Sequence, residues 1–429
     1  MPESSPIPIP LEPAIARHIL QRVGEYGQPP EMGIEHLNVG TDSLLRILDE
    51  EYLVPIARLG RGSAFKLVQS YFGGGKTHFQ QCVRQRAWRR GLCAATVGLS
   101  PQECPFDDPL LIYQAVAREL TWPPVVPTAM PSRGIEHTLR IALDERREVM
   151  GDDGLLQWLD SDFRRFPVDA PSFRAAVGAF ARAYVAADYD TEELVAAWLR
   201  GEAIPGKEIA HLGIRETIRK DNGFRMLRSL CQVLQPLGGK GLLLCFDELD
   251  RNLSLPPRRR RAVADNLREL IDLCGREALP GLLCLYAVPP EFMRHVVTEY
   301  PALQQRLEGP ASLSRRSPQA AVIDLEALDL PDEELLVGIG GRLLALFAVA
   351  RDVHLDHAMQ EQNLRALARE VLDGSFEVAH RRAFVKAAVD LLYSQASDEH
   401  PMNLAELQVL AGSAGGMGPL AGEAGFEEF

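Results

Sequence analysis

Two short stretches hold the residues best suited to chemistry. The first is Ser70-Tyr71-Phe72-Gly73-Gly74-Gly75-Lys76-Thr77-His78. Its last positions match G-x-x-x-x-G-K-S/T, the pattern of a loop that wraps phosphates. Glycines let backbone N–H groups close around an anion without a Cβ in the way. In that pattern Lys76 reaches the β- and γ-phosphates, and the Thr77 hydroxyl holds Mg²⁺. Ser70 stands where the first glycine belongs. It reads as a tolerated deviation, because the contacts come from Gly73, Gly74, Gly75, Lys76 and Thr77. His78 follows directly, and it either reaches the phosphates or packs on a neighbouring strand. The competing view of the whole stretch is a glycine turn before an ordinary helix.

The second stretch is "LLLCFDELD", with Asp247 and Glu248 directly after a run of apolar residues. A carboxylate at the C-terminal edge of a buried strand suits a Mg²⁺-water ligand. The next acid can orient and deprotonate an attacking water. Asp247 is therefore the metal candidate and Glu248 the catalytic candidate. Alone, such a pair is equally a strand ending in solvated acids. With a Gly-Lys-Thr loop upstream on another strand, the two stretches point to a phosphate-loop nucleotide hydrolase. No Asn-Lys-x-Asp sequence is present, which argues against guanine as the base.

The elements around these residues must place them at one sheet edge. "SAFKLVQ" (63–69) reads as a strand feeding the loop, and residues 77–90 as a helix stopped by Gly91. "LCAATVGLS" (92–100) is the next strand and 109–120 the next helix. "GLLLCF" (241–246) and "GLLCLYAV" (281–288) are apolar runs typical of strands buried on both faces. Residues 320–328 are expected to be extended. Strand, helix and strand in alternation imply an α/β fold with a parallel sheet. Residues 124–240 instead carry helical periodicity and form an insertion. The helical pattern returns from 331.

At 429 residues the chain has room for two or three domains. The expected division is 1–59 as an N-terminal helical segment, 60–123 and 241–328 as two parts of a nucleotide-binding domain around the 124–240 insertion, 329–411 as a helical lid, and 412–429 as a flexible tail. The seven cysteines are scattered, with no C-x-x-C pair, and read as reduced thiols of a cytoplasmic protein. No apolar run is long enough to span a membrane. The net charge of −13 argues against wholesale nucleic-acid binding. Two local basic patches, Arg84–Arg90 and Arg258–Arg261, read as solvated faces or contacts between subunits, with duplex DNA as the alternative. His354 and His357 read as a polar helix face, since no third ligand is near.

Ordered blocks across 37–392 resemble the ATP-binding protein family of bacterial BREX phage-defence systems, the BrxD-like proteins. These are AAA+ relatives of the origin-recognition and STAND-type ATPases. The blocks are "LNVGTDSLLRILDEEYL", "FGGGKTHF", "AAWLRGE", "LGGKGLLLCFDELD", "EYPALQQRL", "IDLEALDLPDEELLVGIGGRL" and "RRAFVKAAVDLL". The resemblance implies an AAA+ three-layer α/β/α parallel sheet with a helical insertion and a C-terminal helical lid. It also implies ATP and Mg²⁺ as cofactors, homo-oligomers, and other BREX-type proteins as partners. Arg306 is then the candidate finger acting on a neighbouring subunit, with Arg315 and Arg316 competing for that role. Arg382 is the candidate lid arginine, with Arg381 beside it. One departure stands out. The family's sensor strand ends in a Gly-Thr-Pro-Glu run, whereas this chain has Ala287-Val288-Pro289-Pro290-Glu291. A valine cannot hydrogen-bond a phosphate or a water. That leaves two functions open: an ATPase that drives assembly or remodelling, and an ATP-binding switch or scaffold that hydrolyses little.

Overall fold

Five apolar runs become five parallel strands. β1 is Ser63–Gln69, β2 Cys93–Gly98, β3 Leu242–Asp247, β4 Leu282–Val288 and β5 Val322–Asp324, in the order β2-β3-β4-β1-β5. The computed structural model describes residues 11–125, 130–247, 255–307, 309, 311–374 and 380–415. β3 and β4 are buried along their whole length. That is why their sequences are almost continuously apolar rather than alternating. The extended stretch expected over 320–328 narrows to three paired residues.

The described residues divide into two compact units. One comprises those within 44–69 and 83–324, the other those within 1–43, 70–82 and 325–429. In the first unit the sheet and the insertion share one core. The insertion supplies helices Ile135–Trp158, Pro171–Ala186, Tyr189–Leu199 and Gly223–Leu237. Phe173, Phe180 and Trp198 from it join Tyr113, Phe246 and Tyr286 in the same apolar cluster. Trp198 meets the Phe173 ring at 6.1 Å and donates its indole N–H to Glu216 O at 2.9 Å. The Tyr113 hydroxyl donates to Leu199 O at 2.6 Å. The insertion is therefore part of the sheet's own support.

In the second unit the helix Pro13–Tyr26 packs with the helices Asp332–Arg351, His357–Asp373, His380–Ser397 and Leu404–Gly415. Ile19, Val23, Phe347, Leu367, Phe384 and Leu391 lie in their common core. This corrects the expected division in two places. The 1–59 segment is split, its first helix joining the C-terminal helices and residues 44–59 the sheet unit. The last helix also runs to Gly415, past the expected start of the tail at 412.

The odd residue of β1 is Lys66, 2% exposed. Its ammonium donates to Ala320 O at 2.7 Å and sits 4.4 Å from the centre of the Tyr52 ring. The Tyr52 hydroxyl donates to Pro318 O at 2.7 Å. These bonds tie residues 318–320 to β1. Burial lowers the Lys66 pKa from 10.5 to about 8.

Two tests follow. Trp198→Ala should cost roughly 3–5 kcal/mol by denaturant melt, and it should lower the cooperative transition of the sheet unit as a whole. For Lys66, both states are charged below pH 8, so the burial cost is fully present there. Between about 8 and 10.5 only the unfolded chain keeps its proton, and wild type gains stability with pH. Lys66→Met should therefore melt above wild type at pH 7, with the gap closing between pH 8 and 10.

Candidate functional site

The phosphate-loop stretch leaves β1 at Gln69 and belongs to the unit of C-terminal helices. Gly73 and Gly75 have φ of 75° and 95°, left-handed values at which a Cβ strains the backbone. Gly74 is constrained by space, since a Cβ there would overlap Ser70 Oγ and the Glu326 carboxylate. All three glycines thus have a geometric reason. Lys76 opens the helix Lys76–Arg89. Its buried ammonium donates to Ser70 O at 2.8 Å and Tyr71 O at 3.0 Å. Thr77 is the next residue of the first turn, where helix N–H groups and the macrodipole favour an anion.

Ser70 is fully buried and has a partner. Its hydroxyl donates to Glu326 Oε1 at 2.5 Å, and the same oxygen accepts the Tyr71 N–H at 3.2 Å. Arg381 pairs with the other Glu326 oxygen at 3.4 Å. It also donates to Leu325 O at 3.0 Å and to Gly74 O. Of the two arginines that open the helix His380–Ser397, Arg381 is the one on the loop. Arg382 donates to Tyr26 O at 2.7 Å and lies 5.7 Å from the Phe72 ring centre. A cavity of about 70 Å³ beside the loop is lined by Tyr71, Phe72, Gly73, Asp332, Leu336 and Leu372, among others. Sequence reasoning missed Glu326. The only signal was a hydroxyl at 70, where the pattern needs none.

His78 turns toward its own helix, 3.5 Å from Cys82 Sγ. Its surroundings push the imidazole pKa down to about 4 through desolvation. It is neutral at physiological pH and brings no positive charge to a phosphate.

The acidic strand lies in the sheet unit. β3 ends at Asp247, 5% exposed and in register with Gly98. β4 pairs with β3 on one side and β1 on the other. Val288 therefore ends β4 between the strand that closes in Asp247 and the strand that leads to the loop. It is fully buried and in register with Gln69. Glu248, the catalytic candidate, lies outside the described residues.

The three arginine candidates fare differently. Arg306 grips both oxygens of Asp272, at 2.5 and 2.9 Å, and also bonds Ala302 O at 2.5 Å. Arg315 and Arg316 are the exposed central residues of a tight turn closed by Ser317 N to Ser314 O at 3.0 Å. Leu313 N donates to Val322 O at 2.7 Å, and the Lys66 and Tyr52 bonds hold its other limb. Of the basic patches, 84–90 is mostly internal. Arg84 is buried over Trp88 at 4.8 Å, and Arg90 binds Asp49 at 2.7 Å. Arg259 pairs with Asp107 at 2.5 Å, while Arg258 and Arg261 stay exposed.

The donors present fit the implied ligands. The loop's glycines leave its backbone open to close approach, and the Lys76 ammonium on Ser70 O and Tyr71 O is a cation that a phosphate would attract. The Thr77 hydroxyl and the Asp247 carboxylate are hard oxygen donors, as Mg²⁺ prefers. Among the described residues no three His, Cys, Asp or Glu side chains cluster as a metal cage. Mg²⁺ usually keeps waters and phosphate oxygens instead of such a cage. Among the described residues, no helix is long and apolar enough to cross a membrane.

No curated protein and no solved structure matches the chain. The family model described as "BREX system ATP-binding protein BrxC/D" matches residues 11–407. That span takes in the glycine loop, the helical insertion, Glu326 and Arg381, so the chain belongs to the family of BREX system ATP-binding proteins BrxC/D.

Proposed function

We propose that the protein is an ATPase of its BREX system, using Mg-ATP to drive assembly or remodelling on partner proteins or DNA. The observation that carries this is the loop 73–77, whose three glycines are fixed by φ or by space and whose lysine is buried over the loop. In this reading backbone amides of the loop and Lys76 hold the β- and γ-phosphates. Thr77 and Asp247 are the Mg²⁺ donors. Bound Mg²⁺ neutralises charge on the phosphate oxygens. Glu248 orients and deprotonates the attacking water. Arg381, already on the loop, takes the lid role first given to Arg382. His78, neutral and turned to Cys82, packs its helix.

The AAA+ reading also asks for an arginine from a neighbouring copy. Arg315 and Arg316 suit it better than Arg306, because they are exposed on a turn anchored at both limbs. Arg306 would first have to leave Asp272. If Arg258 and Arg261 touch DNA, that affinity falls steeply with salt.

One observation favours the second reading, an ATP-dependent switch that recruits defence partners and hydrolyses little. Val288 ends β4 fully buried, with no polar atom to sense a phosphate.

Lys76→Ala should weaken ATP binding by roughly 10- to 100-fold, the value of one charge-assisted bond. Equal binding by wild type and variant would sink both readings. Steady-state turnover well above that of Glu248→Gln supports the ATPase, and background rates in both, with ATP still shifting the oligomer, support the switch.

Arg315→Ala with Arg316→Ala should abolish turnover while ATP affinity holds. Mixing that double variant with Lys76→Ala subunits should restore part of the rate, because each supplies what the other lacks. Arg306→Ala should lower the melting temperature instead. No recovery on mixing argues against a trans role for this turn.

A further inference from the structure

Ser70 and Glu326 raise a question that the loop pattern does not. The pattern's glycine at position 70 would offer no hydroxyl, yet here a buried hydroxyl meets a carboxylate at 2.5 Å. That carboxylate also takes the Tyr71 N–H and pairs with Arg381. Arg381 in turn holds the Gly74 carbonyl. One acidic side chain thus ties the start of the loop to the helix His380–Ser397. Gly74 is pressed so closely against Ser70 and Glu326 that no side chain fits between them.

We propose that Glu326 is a positioning residue for the nucleotide site, an anionic clasp that works through Ser70 and Arg381 and competes with the phosphates of ATP. The inference rests on the ATP-site reading above. A carboxylate bonded to the Ser70 hydroxyl and the Tyr71 N–H brings negative charge beside the loop. It also occupies the arginine that a terminal phosphate would attract. Phosphate binding and the clasp therefore oppose each other, at the cost of affinity. In return, the hold of the helix on the loop becomes sensitive to the nucleotide. Taking Arg381 from Glu326 and Gly74 O frees the helix from the loop, and losing the phosphate restores the contact. Charge repulsion across several ångströms in a partly screened site is worth about a tenfold change in affinity.

The test uses the full chain with two readouts. Displacement of a fluorescent ATP analogue measures affinity, and hydrogen–deuterium exchange without nucleotide follows peptides covering 70–82 and 380–397. Glu326→Gln keeps the shape and removes the charge. It should bind ATP about tenfold tighter and speed exchange in both peptides. Ser70→Ala should shift both readouts in the same direction, and the double variant should add little to either single change. If Ser70→Ala does not fold, Ser70→Gly, which restores the pattern's glycine, takes its place. Unchanged or weaker ATP binding by Glu326→Gln, with exchange altered in neither peptide or in the loop alone, overturns the clasp. Failure of the ATP-site reading looks different, because wild type and Lys76→Ala would then bind ATP equally. Exchange in the two peptides would still decide whether the clasp exists.

Discussion

Gly74 has no room for a single added carbon, and the rest of the loop follows from that restriction. A phosphate cradle must point several N–H groups inward while keeping side chains out. Here Gly74 packs against a buried hydroxyl and a carboxylate, its N–H closing on Tyr71 O at 3.1 Å, while Gly73 and Gly75 turn through left-handed φ. The turn presents the Ser70 and Tyr71 carbonyls to the Lys76 ammonium, and Tyr71 O also accepts the Gly74 N–H. A buried lysine needs such acceptors, because an unpaired ammonium away from water is expensive. The lysine is thus held over the cradle by the loop's own backbone. Arg381 satisfies the Gly74 carbonyl that the tight turn exposes.

Much of the fold was legible because its signals are local. β1 to β4 follow from short apolar runs between turn residues, and their boundaries agree with the sequence to within two residues. The loop's glycines were legible because only glycine tolerates those angles. The rest was hidden because it depends on contacts distant in sequence. Nothing near Glu326 announces a partner 256 positions away at Ser70. Arg381 and Arg382 are adjacent on one helix start, and only packing decides which reaches the loop and which faces Tyr26. Arg84 and Arg90 read as a basic patch, yet Trp88 and Asp49 absorb them. The split of 1–59 was hidden for the same reason, since which core each helix joins is decided by contacts distant in sequence.

The buried valine at the end of β4 gains meaning from the sheet order. β4 stands between β3 and β1, so its last residue lies level with the two strand ends that carry or lead to the chemistry. A hydroxyl there would be positioned by the register alone. Val288 instead contributes methyl groups to the sheet's main core. The strand end thus sits at the right level of the sheet without a polar side-chain atom. Any group that senses the terminal phosphate must then come from outside β4. In the ATPase reading proposed above, that part falls to Arg381, which already bonds Gly74 O, or to an arginine of a neighbouring copy.

The lysine inside the sheet bears on the Arg315–Arg316 turn, because its bond reaches the backbone next to that turn. Burial lowers the Lys66 pKa to about 8, and among the described residues its ammonium bonds a backbone carbonyl and sits over a ring. That bond to Ala320 O lies beside the Tyr52 bond to Pro318 O. Both fix the backbone between the arginine turn and β5. An arginine that must act at a distance is only as useful as the rigidity of the backbone presenting it. A hydrophobic residue at 66 would fill the space and stabilise the sheet, but it would release that backbone. The lysine therefore fits a chain in which the arginine turn has to be held in place, which is the expectation for a residue that completes the site of another subunit.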